Sequence, residues 1–325
     1  MRTISYSEAI NEALHQLLAS NKKVFLVGQG VTSPWYVGTT TVGLLDRFGS
    51  HRVFDTPVSE NAVTGLGVGA ALTGMRPIVV HPRMDFMYYA MDQIANQAAN
   101  WHYMFGGQMS VPITIWGIIN RGGEQGAQHS QALQAIFAHI PGLKVVMPST
   151  PYDVKGLLVA SVEDDNPVIF IDDRWLYNYE GDVPEELYSV EIGKGIVRRK
   201  GKDVTIAATS YMVYKVIEAA RDLEKEGVDV EIIDLRTVKP MDKQLLYNSV
   251  KKTKRLVIVD AAWKTCGLGA EISATIAESK LLTTLKAPII RVTLPDAPAP
   301  ASSVLEQAYY PESEDIVLAV ENLLN

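Results

Sequence analysis

Short apolar, β-branched runs that alternate with longer helical patterns constrain this chain more than any other feature. The runs are VFLVGQ (24–29), RVFDTP (52–57), RPIVVHP (76–82), VPITIWG (111–117), KVVMPS (144–149) and PVIFIDD (167–173). Between them lie helical patterns such as VGLLDRFG, DFMYYAMDQIANQAANWHYM, ALQAIFAHI and PYDVKGLLVASVED. A strand with one face in water alternates polar and apolar residues. A strand that is apolar throughout must be covered on both faces, and the helices between successive strands are its natural cover. The expected fold is therefore α/β, with mostly parallel sheets and helices on both faces.

The alternation lapses once. RWLYNYEGDVPEELYSVEI (174–192) is polar, aromatic and proline-bearing and reads as a linker. The pattern restarts with DVTIAATS (203–210), YKVIEAARDLEKEG, VDVEIIDLRT, RLVIVDAA and APIIRVTL. Two α/β domains are expected, 1–190 and 191–325, and a chain of 325 residues is long enough for two cores. A net charge of −7 without a basic block argues against a nucleic-acid surface, and the cluster at 251–255 reads as a solvated helix end. No apolar run reaches the roughly 18 residues of a membrane helix. MRTISYSEAI lacks the apolar core of a secretory signal, and the lone Cys266 has no His or Cys at metal-ligand spacing. These features fit a reducing, cytoplasmic compartment.

In an open α/β sheet, ligands bind beyond the carboxyl ends of the strands. Three stretches fall at such ends. In DTPVSENAVTGLGVGAAL (55–72) the turn PVSEN delivers one carboxylate, Glu60, ahead of a run that is otherwise small and apolar. As a surface feature, Glu60 is a helix N-terminal carboxylate favoured by the macrodipole, with Ser59 helping to cap. As a site feature, it is a partly buried carboxylate suited to proton exchange with a ligand nitrogen. GLGVGA does not sit in the strand-to-helix turn where a dinucleotide fingerprint belongs, so close packing by Gly65, Gly67 and Gly69 is the better reading. The same holds for CGLGAE at 266–271. In INRGGEQGAQHSQALQAIF (119–137) a glycine-rich loop delivers His129 and Ser130. Ser130 reads as a helix cap and His129 as a polar loop residue, or the loop is built around a ligand. In RMDFMYYAMDQI (83–94), Phe86 stands at the strand-to-helix junction, whereas Tyr88 and Tyr89 fit a core stripe.

Taken in order, DTPVSENAVTGLGVGAAL, DFMYYAMDQIANQAA, GAQHSQ, GLKVVMPSTPYDVKGLL and EDDNPVIF resemble the beta subunit of thiamine diphosphate-dependent 2-oxo acid dehydrogenases. VEIIDLRTVKPMD and GLGAEI look like that family's transketolase-like C-terminal domain. The resemblance spans nearly the whole chain. It implies that Glu60 hydrogen-bonds the N1′ nitrogen of the cofactor's aminopyrimidine, that Phe86 lies beside that ring, and that His129 faces the reacting carbon. It implies decarboxylation of a 2-oxo acid and transfer of the acyl group to a lipoyl acceptor. A split transketolase or carboligase would instead pass its unit to an aldehyde, and a catalytically silent assembly subunit is the reading from another class.

Nothing here resembles the family's glycine-aspartate-glycine motif for Mg2+ and diphosphate. The resemblance therefore implies a separate alpha subunit, an α2β2 assembly, and association with a lipoyl acyltransferase core. It also implies a monovalent-cation (K+) position at Asp164 and Asn166, with Thr114 as a third contributor; the two residues equally fit a helix C-cap and turn. Two stretches depart from the family's pattern. VVHPRMDF brings His81, Pro82 and Arg83 to the wall of the site, and the loop after residue 119 carries Arg121 and Glu124. Arg121 reads as a solvated loop arginine or as a fork for a substrate carboxylate or phosphate.

Overall fold

The computed structural model describes residues 2–33 and 37–325. Two compact units emerge. The first comprises residues up to 121 together with 129–192, and the second comprises 122–128 together with 193–325.

The strands of the first unit are β1 (Arg2–Ser5), β2 (Val24–Gly28), β3 (Val53–Asp55), β4 (Arg76–His81), β5 (Thr114–Ile119), β6 (Lys144–Val146), β7 (Val168–Asp173) and β8 (Glu180–Val183). Six of them lie side by side in the order β6-β7-β5-β4-β2-β3, every pair parallel. β2, β5 and β7 are buried at every position. That burial is the physical counterpart of their unbroken apolar sequences.

The covering helices are α1 (Tyr6–Ser20), α2 (Leu44–Phe48), α3 (Glu60–Leu72), α4 (Trp101–Met104), α5 (Gln134–His139) and α6 (Pro151–Glu163). α1 opens on a capping box in which Ser5 and Glu8 satisfy each other's backbone N–H groups. It buries Tyr6, Ala9, Ile10, Ala13, Leu14, Leu17 and Leu18, one stripe at helical spacing. α6 starts at Pro151 behind the N-cap Thr150, whose side chain accepts from the Asp153 N–H.

Two segments differ from what the sequence suggests. The supposed linker contains β8, which pairs antiparallel with β1, Ile4 opposite Gly181. Its partner lies almost a whole domain earlier in the chain, so local pattern carries no trace of the pairing. The expected long helix after β4 is instead a tight 3₁₀ stretch, Met84–Ala90, followed by wide turns over Asp92–Ala98 with an i+5 bond from the Ala99 N–H to the Ile94 carbonyl.

The second unit holds β9 (Ile196–Arg199), β10 (Val204–Ala208), β11 (Val230–Asp234), β12 (Thr237–Lys239), β13 (Leu256–Trp263) and β14 (Ile290–Leu294). Five form a sheet in the order β14-β13-β10-β11-β9, parallel except for β9. Its helices are α7 (Met212–Lys225), α8 (Lys243–Thr253), α9 (Leu268–Ala277), α10 (Ser303–Gln307) and α11 (Ser313–Leu324). Val213, Val216 and Ala220 of α7 and Ile316 and Val320 of α11 join one core cluster with β10, β11 and β13. Both units are thus α/β layers of the expected kind.

Candidate functional site

The site of the first unit follows from strand order. β2 pairs with β3 on one side and β4 on the other, so chain direction across the sheet reverses at β2. A crevice opens beyond the carboxyl ends of strands at such a reversal. Here it is a cavity of about 430 Å³. Gln29 follows β2, Thr56 follows β3, Val80 and His81 end β4, and all four line it.

Glu60 is the first residue of α3 and lies half-buried in the cavity wall. Helix N-terminal N–H groups favour a carboxylate there. Ser59 makes no side-chain cap bond, contrary to the expectation from sequence, because its backbone is not in the extended conformation that aims a capping hydroxyl. α3 rests on the sheet through Val63, Thr64, Gly67, Val68 and Ala71. A Cβ at Gly67 would come within 2.5 Å of Val79 Cγ2. That supports close packing, with no phosphate loop, as the role of GLGVGA at this position.

Phe86 and His129 line the same cavity. Their rings meet edge to face with centroids 5.3 Å apart, and Phe86 also stacks on Tyr89 at 6.5 Å. Tyr89 is exposed and lines the cavity, so it is not part of the core stripe expected from spacing. His129 is held from its flank. Asp85, buried beside Phe86, accepts from the Gln131 N–H at 2.9 Å. Burial raises the pKa of Asp85, an effect opposed by that bond and by the electrostatic interaction with His129. Ser130 is buried and is not the N-cap of α5, which starts only at Gln134 with Leu133 in that position.

His81 is 2% exposed and shares a 3.0 Å hydrogen bond with Thr64 Oγ1 of α3. Burial pushes its pKa down to about 4, so the ring is neutral at physiological pH. Arg83 lies next to it on the cavity wall, and its Nη1 donates to the Pro82 carbonyl at 2.8 Å.

Arg121 fits neither role expected of it. It is buried, ion-paired with Asp173 at the end of β7, and stacked over the Trp175 ring at 5.3 Å. It anchors the exit of β5 rather than facing solvent or substrate. Glu124, by contrast, belongs to the second unit, where its N–H donates to Glu306 and its carboxylate accepts from the Ser303 N–H.

Sequence reading missed Asp172. Its carboxyl is fully buried and accepts from Trp116 Nε1 at 3.0 Å and Tyr177 OH at 3.1 Å. Burial pushes its pKa up to about 7, opposed by those bonds. The signal was present in PVIFIDD, two carboxylates ending an apolar strand.

Of the residues proposed for a monovalent cation, the one acid is already engaged. Asp164 is the C-cap of α6. Its carboxylate takes Lys144 Nζ on one oxygen and the Asn166 N–H on the other. Arg76 donates to the carbonyls of Val162 and Asp164. Thr114 is buried on β5 with no hydrogen-bond partner for its hydroxyl. These contacts match the cap-and-turn reading. Among the described residues, no group of three or more His, Cys, Asp or Glu side chains could hold a metal ion, and no helix is long and apolar enough to cross a membrane.

Comparison with known proteins agrees with this layout. Residues 2–180 match the transketolase pyrimidine-binding domain, and residues 193–316 match the transketolase C-terminal domain. The chain is 41% identical to the acetoin:2,6-dichlorophenolindophenol oxidoreductase subunit beta of Bacillus subtilis, over 99% of this chain and 98% of that protein. It is 40% identical to the mitochondrial pyruvate dehydrogenase E1 component subunit beta of Bos taurus, over 99% of this chain and 91% of that one. Among solved structures, a split gene transketolase in an inactive beta4 tetramer superposes with a TM-score of 0.81 at 24% identity, covering 99% of this chain and 98% of that chain. That last likeness bears on the fold alone.

Proposed function

Since the chain belongs to the beta subunits of thiamine diphosphate-dependent 2-oxo acid and acetoin dehydrogenases, with their transketolase-like fold, we propose that its cavity receives the aminopyrimidine half of that cofactor in a 2-oxo acid dehydrogenase. The observation that carries the reading is the meeting of Glu60, Phe86 and His129 in one cavity at the reversal point of the sheet.

The residues present suit that half of the cofactor. An aminopyrimidine needs an apolar flank and one group that exchanges a proton with its ring nitrogen. Phe86 and Val63 supply the flank, and Glu60 supplies the carboxylate. When bound, the cofactor supplies a carbon nucleophile for the 2-oxo group and a sink for the electrons released with carbon dioxide. Glu60 holds and passes the proton at N1′, and its apolar surroundings limit stray exchange with water. His129, fixed against Phe86 and flanked by Asp85, serves proton transfer at the substrate end.

The diphosphate and its Mg2+ belong, on this reading, to a separate alpha subunit in an α2β2 assembly, and the acyl group passes to a lipoyl arm of an acyltransferase core. K+ does not suit the Asp164 carboxylate, because Lys144 and the Asn166 N–H already occupy it. The test is Glu60→Gln in the enzyme reconstituted with its alpha subunit. The change is near-isosteric, so assembly persists while deuterium exchange at the cofactor's C2 collapses. Exchange at the wild-type rate would remove Glu60 from the mechanism.

A further inference from the structure

The stretch His81-Pro82-Arg83 gives the cavity a charge that proton exchange at Glu60 does not use. Among the described lining residues, Glu60 is the one carboxylate, and Arg83 is the side chain that stays cationic at every physiological pH. His81 adds no charge, being buried, neutral and tied to Thr64. The Arg83 position is built. Its carbonyl accepts from the Phe86 N–H at 3.2 Å, closing the turn that carries the aromatic ring. Its Nη1 is tethered to the Pro82 carbonyl, and Pro82 itself restricts the backbone that enters the turn. The rest of the lining includes the apolar Val58, Val63 and Val80.

A tethered guanidinium on an apolar wall is a receptor for an anion. The carboxylate lost as carbon dioxide is a poor candidate for it. Decarboxylation disperses that charge, so a cation there would stabilise the starting state more than the transition state and slow the reaction. A second anion, at the far end of the donor, keeps its charge throughout and can be held without that penalty. Resting on the dehydrogenase reading above, we propose that Arg83 selects donors bearing a second, distal anionic group, either a dicarboxylic or a phosphorylated 2-oxo acid.

The test uses the reconstituted enzyme with thiamine diphosphate. It compares kcat/KM for pyruvate, 2-oxoglutarate, 2-oxoadipate and 3-phosphohydroxypyruvate. The expected result is a preference for a donor with a distal anion, and whether carboxylate or phosphate is favoured identifies the source. Arg83→Leu lowers the ratio of that donor's kcat/KM to pyruvate's by about 10²-fold, the scale of one charge-assisted hydrogen bond lost. Arg83→Lys recovers part of the ratio, because charge remains while the planar fork is gone. Calorimetry supplies a readout independent of turnover: glutarate or inorganic phosphate binds the wild type more tightly than butyrate does, and Arg83→Leu abolishes the difference. Turnover of pyruvate without preference for any distal anion, or a ratio unmoved by Arg83→Leu, overturns this inference and leaves the dehydrogenase reading standing. Absence of turnover on every 2-oxo acid, with no C2 exchange, overturns both.

Discussion

The two glycines Gly67 and Gly69 stand two residues apart on α3 and should respond oppositely to alanine. At Gly67 an added Cβ falls 2.5 Å from Val79 Cγ2 and 3.0 Å from Ile113 Cδ1. Ordinary carbon contacts are about 3.5–4.0 Å. Val79 and Ile113 are both 0% exposed, so neither has open space to move into. Overpacking of this kind costs about 1–3 kcal/mol. At Gly69 nothing lies within 4 Å. Alanine gains about 0.8–1 kcal/mol over glycine in a helix interior at either position. That gain cancels when the variants are compared, leaving the overpacking cost. Gly69→Ala should therefore be more stable than Gly67→Ala by about 1–3 kcal/mol, and should also exceed the wild type. Urea unfolding followed by circular dichroism, at fixed protein concentration, reads this as a difference in midpoint with unchanged slope. Because α3 must lift from the sheet to admit the methyl group, Gly67→Ala should also weaken C2 exchange through Glu60. Equal midpoints for the two variants would refute the packing of α3 onto β4 at Gly67.

His129→Ala should slow turnover by roughly 10²–10⁴-fold while leaving C2 exchange largely intact, since Glu60 performs that step; loss of exchange as complete as in Glu60→Gln would merge the two roles. Arg121→Leu strands the buried Asp173 carboxylate and should cost about 3–5 kcal/mol, much of it restored when Asp173→Leu is added; thermal unfolding of the single and double variants decides this. Stability should depend on pH through two groups of opposite sign. His81 has a folded pKa of about 4 against a usual 6.5, so its contribution is present above 6.5 and lost as pH falls toward 4, about 3 kcal/mol in all. Asp172 has a folded pKa of about 7 against a usual 3.8, so its contribution is present below 3.8 and lost as pH rises to 7, about 4 kcal/mol. The two oppose each other between pH 4 and 6.5, so His81→Gln should make stability fall more steeply with rising pH and Asp172→Asn should make it rise. Urea midpoints from pH 4.5 to 7.5 that neither variant alters would count against both shifts.

The sequence by itself determined the fold class and three of the residues that line the cavity. Apolar continuity in VFLVGQ or PVIFIDD depends only on whether a strand is covered on both faces, which is a property of each segment alone. Placing Glu60, Phe86 and His129 at strand ends needed no more than the order of strand, turn and helix, although their chemical roles came from resemblance. Tertiary structure decided what the polar side chains meet. Arg121 and Asp173 are 52 residues apart, Asp85 and Gln131 are 46 apart, and Thr64 and His81 are 17 apart. Such partners are chosen by which strands become neighbours, and periodicity within a segment carries no record of that choice. The same holds for β1 and β8, where a stretch polar enough to read as a linker is recruited as a strand by the other end of its unit. Burial of a charge is likewise a property of the assembled sheet, which is why the loop arginine proved to be an anchor and Asp172 a core acid with a raised pKa only in three dimensions.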